Sequence, residues 1–330
     1  MDSYETPQTD YLLDNKVEQI PTQTKLKPLN RITSSDFCIT TEQYPGSNFA
    51  SLLTTKIKIM SKTILITGAS RGFGKIWAKA FLKRGDNVIA TARNITDLDD
   101  LVKEFGNAVL PLQLDVTNRE QCFSVANKAS THFGKLDVVI NNAGYGLFGT
   151  IEETSEKDAR EQFETNVFGT LWITQAVIPV MRNQGKGHII QMSSILGLVS
   201  IPVLGIYNAS KAAVEAISES LSTEVKGFGI STTIIEPAGY GTEWGGKSAV
   251  HSKSIDLYAD LKKAVFSYFT EDKLGKPEAT AQAILKVVDA ENPPLRVLFG
   301  KVGFPMISQA YADRLTNWEQ WKTVSEEAHG

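Results

Sequence analysis

The sequence predicts a doubly wound α/β fold, a parallel sheet covered by helices on both faces. Three observations carry this. Short apolar strand-like runs alternate with helical periods through most of the chain. One run, Ile64 to Thr67, leads through Gly68, Gly72 and Gly74 into the helical pattern of Ile76, Trp77, Ala80 and Phe81. Polar or small residues follow the strand ends, as a ligand crevice at the carboxyl edge of such a sheet requires.

The first run reads as a buried parallel strand because all four residues are apolar or β-branched. The glycines after it allow a tight turn and let a pyrophosphate approach main-chain N–H groups. The helix start behind them adds bare donors and a positive dipole end. A second strand, Val88 to Thr91, follows Gly85, which suits a helix C-cap. Ile95 to Phe105 reads as a short helix, and Ala108 to Leu114 as a third strand ending at Asp115. A helix from Glu120 to Phe133 precedes the fourth strand, Leu136 to Asn141. One long helix is expected from Lys157 to Arg182, then a fifth strand from Gly187 to Met192. The helix from Tyr207 to Val225 leads to a sixth strand, Ile230 to Ile235, stopped by Pro237. Residues 238–275 read as a long loop region with helical pieces. Pro277 opens a helix to Val288, as proline does at a first turn, and Arg296 to Phe299 is a last strand before a C-terminal helix. Right-handed crossovers turn this order into a doubly wound sheet.

Composition narrows the function classes. A net charge of −3 on 330 residues gives no basic surface for nucleic acid. Two cysteines, Cys38 and Cys122, supply neither a disulfide framework nor a metal cluster, which suits a reducing, cytoplasmic setting. The apolar stretch from Leu171 to Met181 is interrupted by Thr174 and Gln175 and is too short for a membrane span. Residues 1–59 are polar, without a sustained period, and lack the layout of a signal peptide. They are expected to be a disordered extension ahead of one domain over 60–330. The histidines, at 132, 188, 251 and 329, have no ligand spacing. His188 reads as structural, and His251 lies in the long loop.

The chemistry-bearing residues cluster on the expected rim. Tyr207 and Lys211 are four apart on a helix and share a face. A cation beside a phenol favours the phenolate and is expected to lower the Tyr207 pKa from its free value near ~10. Such a tyrosine can act as acid or base near neutral pH.

Taken together, the motifs resemble the short-chain dehydrogenase/reductase family over roughly residues 60–300. They are Thr67-Gly68-x-x-x-Gly72-x-Gly74, Asp115, Asn141-Asn142-Ala143-Gly144, a serine ahead of Tyr207-x-x-x-Lys211, and Pro237 with Thr242. The resemblance implies a single Rossmann-like domain with a seven-stranded sheet, and hydride transfer between a nicotinamide and a carbonyl or alcohol carbon. It implies Tyr207 as acid/base and Lys211 as its partner, also holding the nicotinamide ribose. The family spacing of thirteen residues before the tyrosine selects Ser194 over Ser193 for the substrate oxygen. Asn166 resembles the asparagine that holds a water in the proton relay. Without the family, an asparagine inside this apolar helix reads as a local kink or a buried amide with partners.

The same resemblance assigns the cofactor contacts. Thr67, Gly68, Ser70, Arg71, Gly72, Phe73 and Gly74 form the phosphate turn. Ala92 and Arg93 stand at the adenosine ribose, and Asp115 and Val116 at the adenine. Asn142, Ala143 and Gly144 run alongside, and Pro237, Gly239 and Thr242 approach the carboxamide. Pro237-Ala238-Gly239 departs from the family's usual Pro-Gly at this point.

The cofactor is expected to be NADP(H), with NAD(H) also possible. NAD-selective sites place a carboxylate at the second strand's end; here that position is Ala92, and Arg93 follows. Arg93 and Arg71 have the planar fork that matches a 2′-phosphate. Three segments should wall the substrate pocket: Tyr145 to Phe148, Ile195 to Leu204 and Tyr240 to Phe269. They offer Leu147, Phe148, Leu196, Leu198, Val199, Tyr240, Trp244, Tyr258, Phe266 and Tyr268, walls for an apolar carbonyl compound. The largely apolar helix from Phe168 to Met181 suggests burial beyond one sheet face, and the resemblance, in which this helix and the Tyr207 helix often pair across a two-fold axis, implies a homodimer or homotetramer.

Two readings compete with the enzyme. A nucleotide-sensing binding protein could keep the fold without turnover, but Tyr207, Lys211 and Ser194 are all present. Sugar epimerases and dehydratases use a different glycine spacing and a longer C-terminal substrate domain.

Overall fold

The computed structural model describes residues 61–246, 248–270 and 273–330; the extension expected over 1–59 lies outside them. The elements run β1 (Thr63–Ile66), α1 (Gly72–Arg84), β2 (Asn87–Ala92), α2 (Asp99–Phe105), β3 (Val109–Gln113), α3 (Arg119–His132) and β4 (Val138–Asn141). Next come β5 (Leu147–Phe148), α4 (Glu156–Phe163), α5 (Gly169–Gln184), β6 (Gly187–Met192), α6 (Gly205–Lys226) and β7 (Ile230–Pro237). The chain continues through β8 (Val250–His251), α7 (Ala259–Phe266), α8 (Thr280–Asp289), β9 (Arg296–Phe299), α9 (Gly303–Gln320) and α10 (Lys322–Glu327).

Seven strands form one parallel sheet in the order β3-β2-β1-β4-β6-β7-β9. The order reverses between β1 and β4, so the crevice of a doubly wound sheet opens at their carboxyl ends. Strand residues alternate between faces and feed two cores. Ile64 and Ile66 of β1, with Val88 and Ala90 of β2, pack under Trp77 and Phe81 of α1 and Ile284 of α8. Leu65 and Ile89 point the other way, against Val125 of α3, Ile173 and Val177 of α5 and Leu221 of α6. Both faces are dry, as all-parallel strands require.

Two expectations need correction. The long helix from Lys157 to Arg182 is not uniform: α4 and α5 are joined by a π-helical turn, Glu164–Phe168. One extra residue per turn swings Asn166 out of the α-helical register, and its amide is buried and bonded. The 238–275 region is more than loop and helix. Its β8 pairs in parallel with β5 outside the main sheet, Leu147 with Val250 and Phe148 with His251. Two-residue strands leave no period for a sequence to display.

Candidate active site

The glycine turn is held from two sides. The Thr67 hydroxyl accepts from Asn142 N and Ala143 N, each at 2.9 Å. The Asn142 amide donates back to Thr67 O at 2.9 Å and Gly68 O at 3.1 Å. Ala69 N donates to Thr91 O at 2.8 Å, which ties the turn to the end of β2. Gly68 and Gly72 have φ of +67° and +53°, values that favour glycine. A Cβ on Gly74 would lie 2.3 Å from Gly68 O, inside contact with rigid backbone. The start of α1 has no side-chain cap and no acid in its first turn. Its N–H groups are therefore free for an anion. A cavity of about 300 Å³ adjoins it, lined by Gly72, Lys75, Ile76, Lys79, Thr242 and Glu243 among others. These features fit a dinucleotide's pyrophosphate.

At the end of β2, Ala92 is buried in the apolar core and Arg93 is exposed. Arg71 Nε lies 3.8 Å from Glu243 Oε2, both side chains half exposed. Asp115 turns its carboxylate on its own loop, where Oδ1 accepts from Thr117 N at 3.0 Å and Thr117 Oγ1 at 2.8 Å. Val116 is buried against Gly169, where a Cβ would meet its Cγ2 at 2.6 Å. The Ser70 and Phe73 positions belong to the same turn; the Phe73 ring stacks on Trp77 at 5.4 Å and meets Tyr240 edge-on at 5.1 Å.

The residues expected to carry the chemistry lie at the other end of the crevice. Tyr207 opens α6 and is buried, as are Lys211 one turn on and Ser194 after β6. Ser194 Oγ accepts from Leu196 N at 3.1 Å, donates toward Pro237 O at 3.4 Å, and faces the phenol. Ser193 turns away, toward Lys211 O at 3.5 Å and the Glu215 carboxyl. The two serines thus face different groups. Asn166 accepts from Tyr145 N at 3.2 Å and donates to Tyr145 O and Ser210 Oγ, each at 3.1 Å. Ser210 Oγ in turn donates to Tyr207 O at 2.8 Å, so the π turn is fastened to the start of α6.

The expected lowering of the Tyr207 pKa is not what this geometry produces. Burial pushes the phenol up, and the contact with Ser194 only partly offsets it. Lys211 Nζ lies 5.8 Å from the phenol ring centroid and donates to Met192 O at 2.7 Å. Its own pKa is lowered to about 8, because burial disfavours the ammonium more than nearby Glu215 favours it. Desolvation therefore outweighs the cation on this face of α6.

Trp244 covers the phenol, with ring centroids 4.8 Å apart. It also packs on Phe148 at 5.3 Å, and Phe148 touches His251 at 5.2 Å and Phe266 at 5.9 Å. Ile195, Leu196, Val199 and Leu204 complete this apolar cluster. Of the expected pocket walls, Leu147, Leu198, Tyr240, Tyr258 and Tyr268 are not part of it, and Tyr240 packs on Phe73 instead. Tyr258 donates to Glu152, and Tyr268 is 72% exposed beside Lys273. Pro237 ends β7, and Ala238 after it donates to Phe299 O at 2.8 Å, so the departure from Pro-Gly leaves regular backbone pairing in place. A Cβ on Gly239 would lie 2.8 Å from Leu274 Cδ2, and Thr242 Oγ1 accepts from Trp244 N at 3.4 Å.

Residues 62–252 match the family model described as short chain dehydrogenase. The chain belongs to the short chain dehydrogenase family. Over 274 residues it is 36% identical to "Oxidoreductase BOA17" of Botryotinia fuckeliana, covering 81% of this chain and 98% of that one. A "3-ketodihydrosphingosine reductase" of Bacteroides thetaiotaomicron is 35% identical over 76% of this chain and 90% of its own length. Among solved structures, a short-chain dehydrogenase from Streptomyces avermitilis superposes with a TM-score of 0.77 at 35% identity, covering 82% of this chain and 99% of that one. A Burkholderia phymatum family member in complex with NAD has a TM-score of 0.69 at 25% identity, over 78% and 95% of the two chains. A Burkholderia cenocepacia member in complex with NADP has 0.64 at 25%, over 79% and 97%. The protein is an oxidoreductase of this family. Among the described residues no helix is long and apolar enough to cross a membrane, and no cluster of side chains could hold a metal ion.

Sequence reasoning missed Gln162, which donates to Tyr145 O at 3.0 Å and accepts from Leu147 N at 2.9 Å beneath the site. It also missed the Glu215, Glu236 and Arg296 cluster, whose members are far apart in sequence and lie on three elements.

Proposed function

We propose that the protein is an NADP(H)-dependent oxidoreductase that interconverts a carbonyl and a secondary alcohol on an apolar small molecule, with Tyr207 as acid/base. The observation that carries this is the pairing of two buried hydroxyls, Tyr207 and Ser194, under an apolar cover of Trp244, Phe148 and Leu196. A carbonyl oxygen placed between the two hydroxyls would accept from both, and Tyr207 would give up its proton as that oxygen becomes an alcohol. The nicotinamide supplies or accepts the hydride. Ser194 orients the substrate oxygen. Lys211 holds the ribose and favours the phenolate once its ammonium is drawn toward the phenol. Asn166 is fixed at the π turn, where a relay water would be held.

The substrate class rests on the lining: the cluster offers no fixed charge to grip a carboxylate or phosphate. One relative's name, 3-ketodihydrosphingosine reductase, is consistent with an apolar carbonyl substrate. Preference for NADP(H) rests on Ala92, which leaves no carboxylate to repel a 2′-phosphate, and on Arg93 and Arg71. Each arginine–phosphate contact contributes on the order of 1.5–3 kcal/mol, roughly one to two decades of affinity. Residues 60–330 act as one domain in a cytoplasmic homodimer or homotetramer, joined through α5 and α6.

The test is a panel of apolar ketones, aldehydes and secondary alcohols, read at the nicotinamide absorbance with each cofactor. Higher kcat/KM with NADP(H) is expected, reversed in the double variant Ala92→Asp/Arg93→Ala. A parent that prefers NAD(H), or turns over only carboxylates and sugar phosphates, overturns the reading. Light scattering at micromolar concentration that returns the monomer mass removes the oligomer.

A further inference from the structure

Behind Ser193 and Lys211, away from the substrate side, two carboxyls are buried where the mechanism does not use them. Glu215 lies one turn after Lys211 on α6, and Glu236 near the end of β7; both are buried. Arg296 of β9 reaches both, with its NH2 nitrogen 3.2 Å from Glu215 Oε2 and its Nε 3.3 Å from Glu236 Oε1. The same guanidinium lies 3.4 Å from Glu219, which is mostly exposed. Both Glu215 oxygens and Glu236 Oε1 lack a well-aligned hydrogen-bond donor among the described residues. Gly197 allows this packing: a Cβ there would lie 3.0 Å from Glu215 Cγ and 3.0 Å from the Lys211 carbonyl carbon.

We propose that Glu215 and Glu236, clamped on Arg296, are a pair of positioning residues that share one proton and keep Lys211 charged. Lys211 is faced by Tyr207 and Glu215 on α6 and by Ser193 and the Met192 carbonyl at the end of β6, and Arg296 on β9 links Glu215 to Glu219 on α6 and Glu236 on β7. Lys211 faces Glu215, and Arg296 faces Glu215, Glu219 and Glu236, so two cations and three carboxyls make one connected cluster. The cluster is neutral when one of the three is protonated. Glu219 is mostly exposed, so the proton belongs to the buried pair. Two carboxylates that close in a dry site cannot both ionise. Burial and the neighbouring Glu215 push Glu236 up to about 8, and burial also raises Glu215. The pair's remaining negative charge is the counter-ion that Lys211 has within the protein.

The inference rests on Lys211 holding the cofactor, and two measurements separate its failure from failure of that reading. The first is NADPH binding against pH, followed by cofactor fluorescence. Affinity should fall as Lys211 loses its proton. Glu215→Gln removes the nearer charge and should move that midpoint acid by about one unit. Glu236→Gln leaves Glu215 free to ionise fully and should hold the midpoint or move it alkaline. Opposite shifts from two near-isosteric changes are not expected of merely structural residues, and Glu215→Asp should restore part of the shift. Lys211→Ala without effect on binding would refute the cofactor role and leave the second measurement to judge the pair. That measurement is the melting temperature of the cofactor-free chain. Glu236 binds its proton more tightly folded than unfolded, so stability should decline as pH rises from about 4.5 toward 8. Glu236→Gln should flatten that decline and melt higher than the parent at pH ~8. Unchanged binding midpoints in folded variants, or a parent-like pH slope in Glu236→Gln, overturns the proposal. If Glu215→Gln does not fold, the Glu236→Gln melting curve decides.

Discussion

The phosphate turn and the segment after β7 face each other across the crevice, and they are held by different means. In the turn, backbone and short side chains within residues 67–69 and 142–143 satisfy one another, so position follows from local geometry. The segment that carries Trp244 and α7 is fastened by long-range latches. Buried Glu153 accepts from Thr150 N and from Ile255 N at 2.9 Å and 2.7 Å and pairs with Lys262 of α7. Trp244 rests on Tyr207 and Phe148, and Arg71 reaches Glu243. The turn is preorganised for an anion whether or not one is present. The latched segment reaches the phenol through one residue, Trp244, which suits a cover over that group.

The largest effect is expected where the regions meet. Tyr207→Phe should lower turnover by about two to four orders of magnitude while NADPH binding, measured by fluorescence titration, survives. Near-normal turnover would remove the phenol from the mechanism and leave the cover with nothing to protect.

Gly74→Ala tests the rigid half. Its methyl would meet Gly68 O at 2.3 Å, and backbone on that side cannot give way without moving the turn. Overpacking of this kind costs typically ~1–3 kcal/mol, so calorimetry should show cofactor affinity lower by roughly one to two decades. Unaltered affinity would mean the turn is softer than its bonding suggests.

Trp244→Ala tests the latched half. It removes aromatic contacts of the kind that contribute ~0.5–1.5 kcal/mol, so substrate KM should change roughly two- to tenfold while cofactor affinity holds. A collapse of cofactor binding would join the two regions into one unit.

The smallest effect is expected from Glu153→Gln. Backbone donors and Lys262 lower the Glu153 pKa from 4.5 to about 2 against the cost of burial. Its stabilisation is therefore fully present above about 4.5 and lost as pH falls toward 2. The variant's melting temperature should fall less steeply than the parent's between those values. Identical acid slopes would show that the carboxylate does not latch α7.

Much of this was legible in the chain alone. Apolar runs with glycine or proline at their ends gave the seven strands to within a residue or two, because parallel strands buried on both faces must be apolar. Gly68, Gly72 and Gly74 announced the turn, since few other residues tolerate those angles or that approach. That Tyr207 and Lys211 lie one turn apart on one helix was readable because helical spacing is local, while the roles expected of them came from the family resemblance. Tertiary structure decided what depends on distant partners. The Tyr207 pKa follows from desolvation by Trp244 and its neighbours, which a four-residue spacing does not encode. The π turn at Asn166 is stabilised by Tyr145 and Ser210, on segments before and after it. Glu215, Glu236 and Arg296 are ordinary charges in sequence; only the stacking of α6, β7 and β9 buries them together, because electrostatics in a dry interior depends on distance in space and not along the chain.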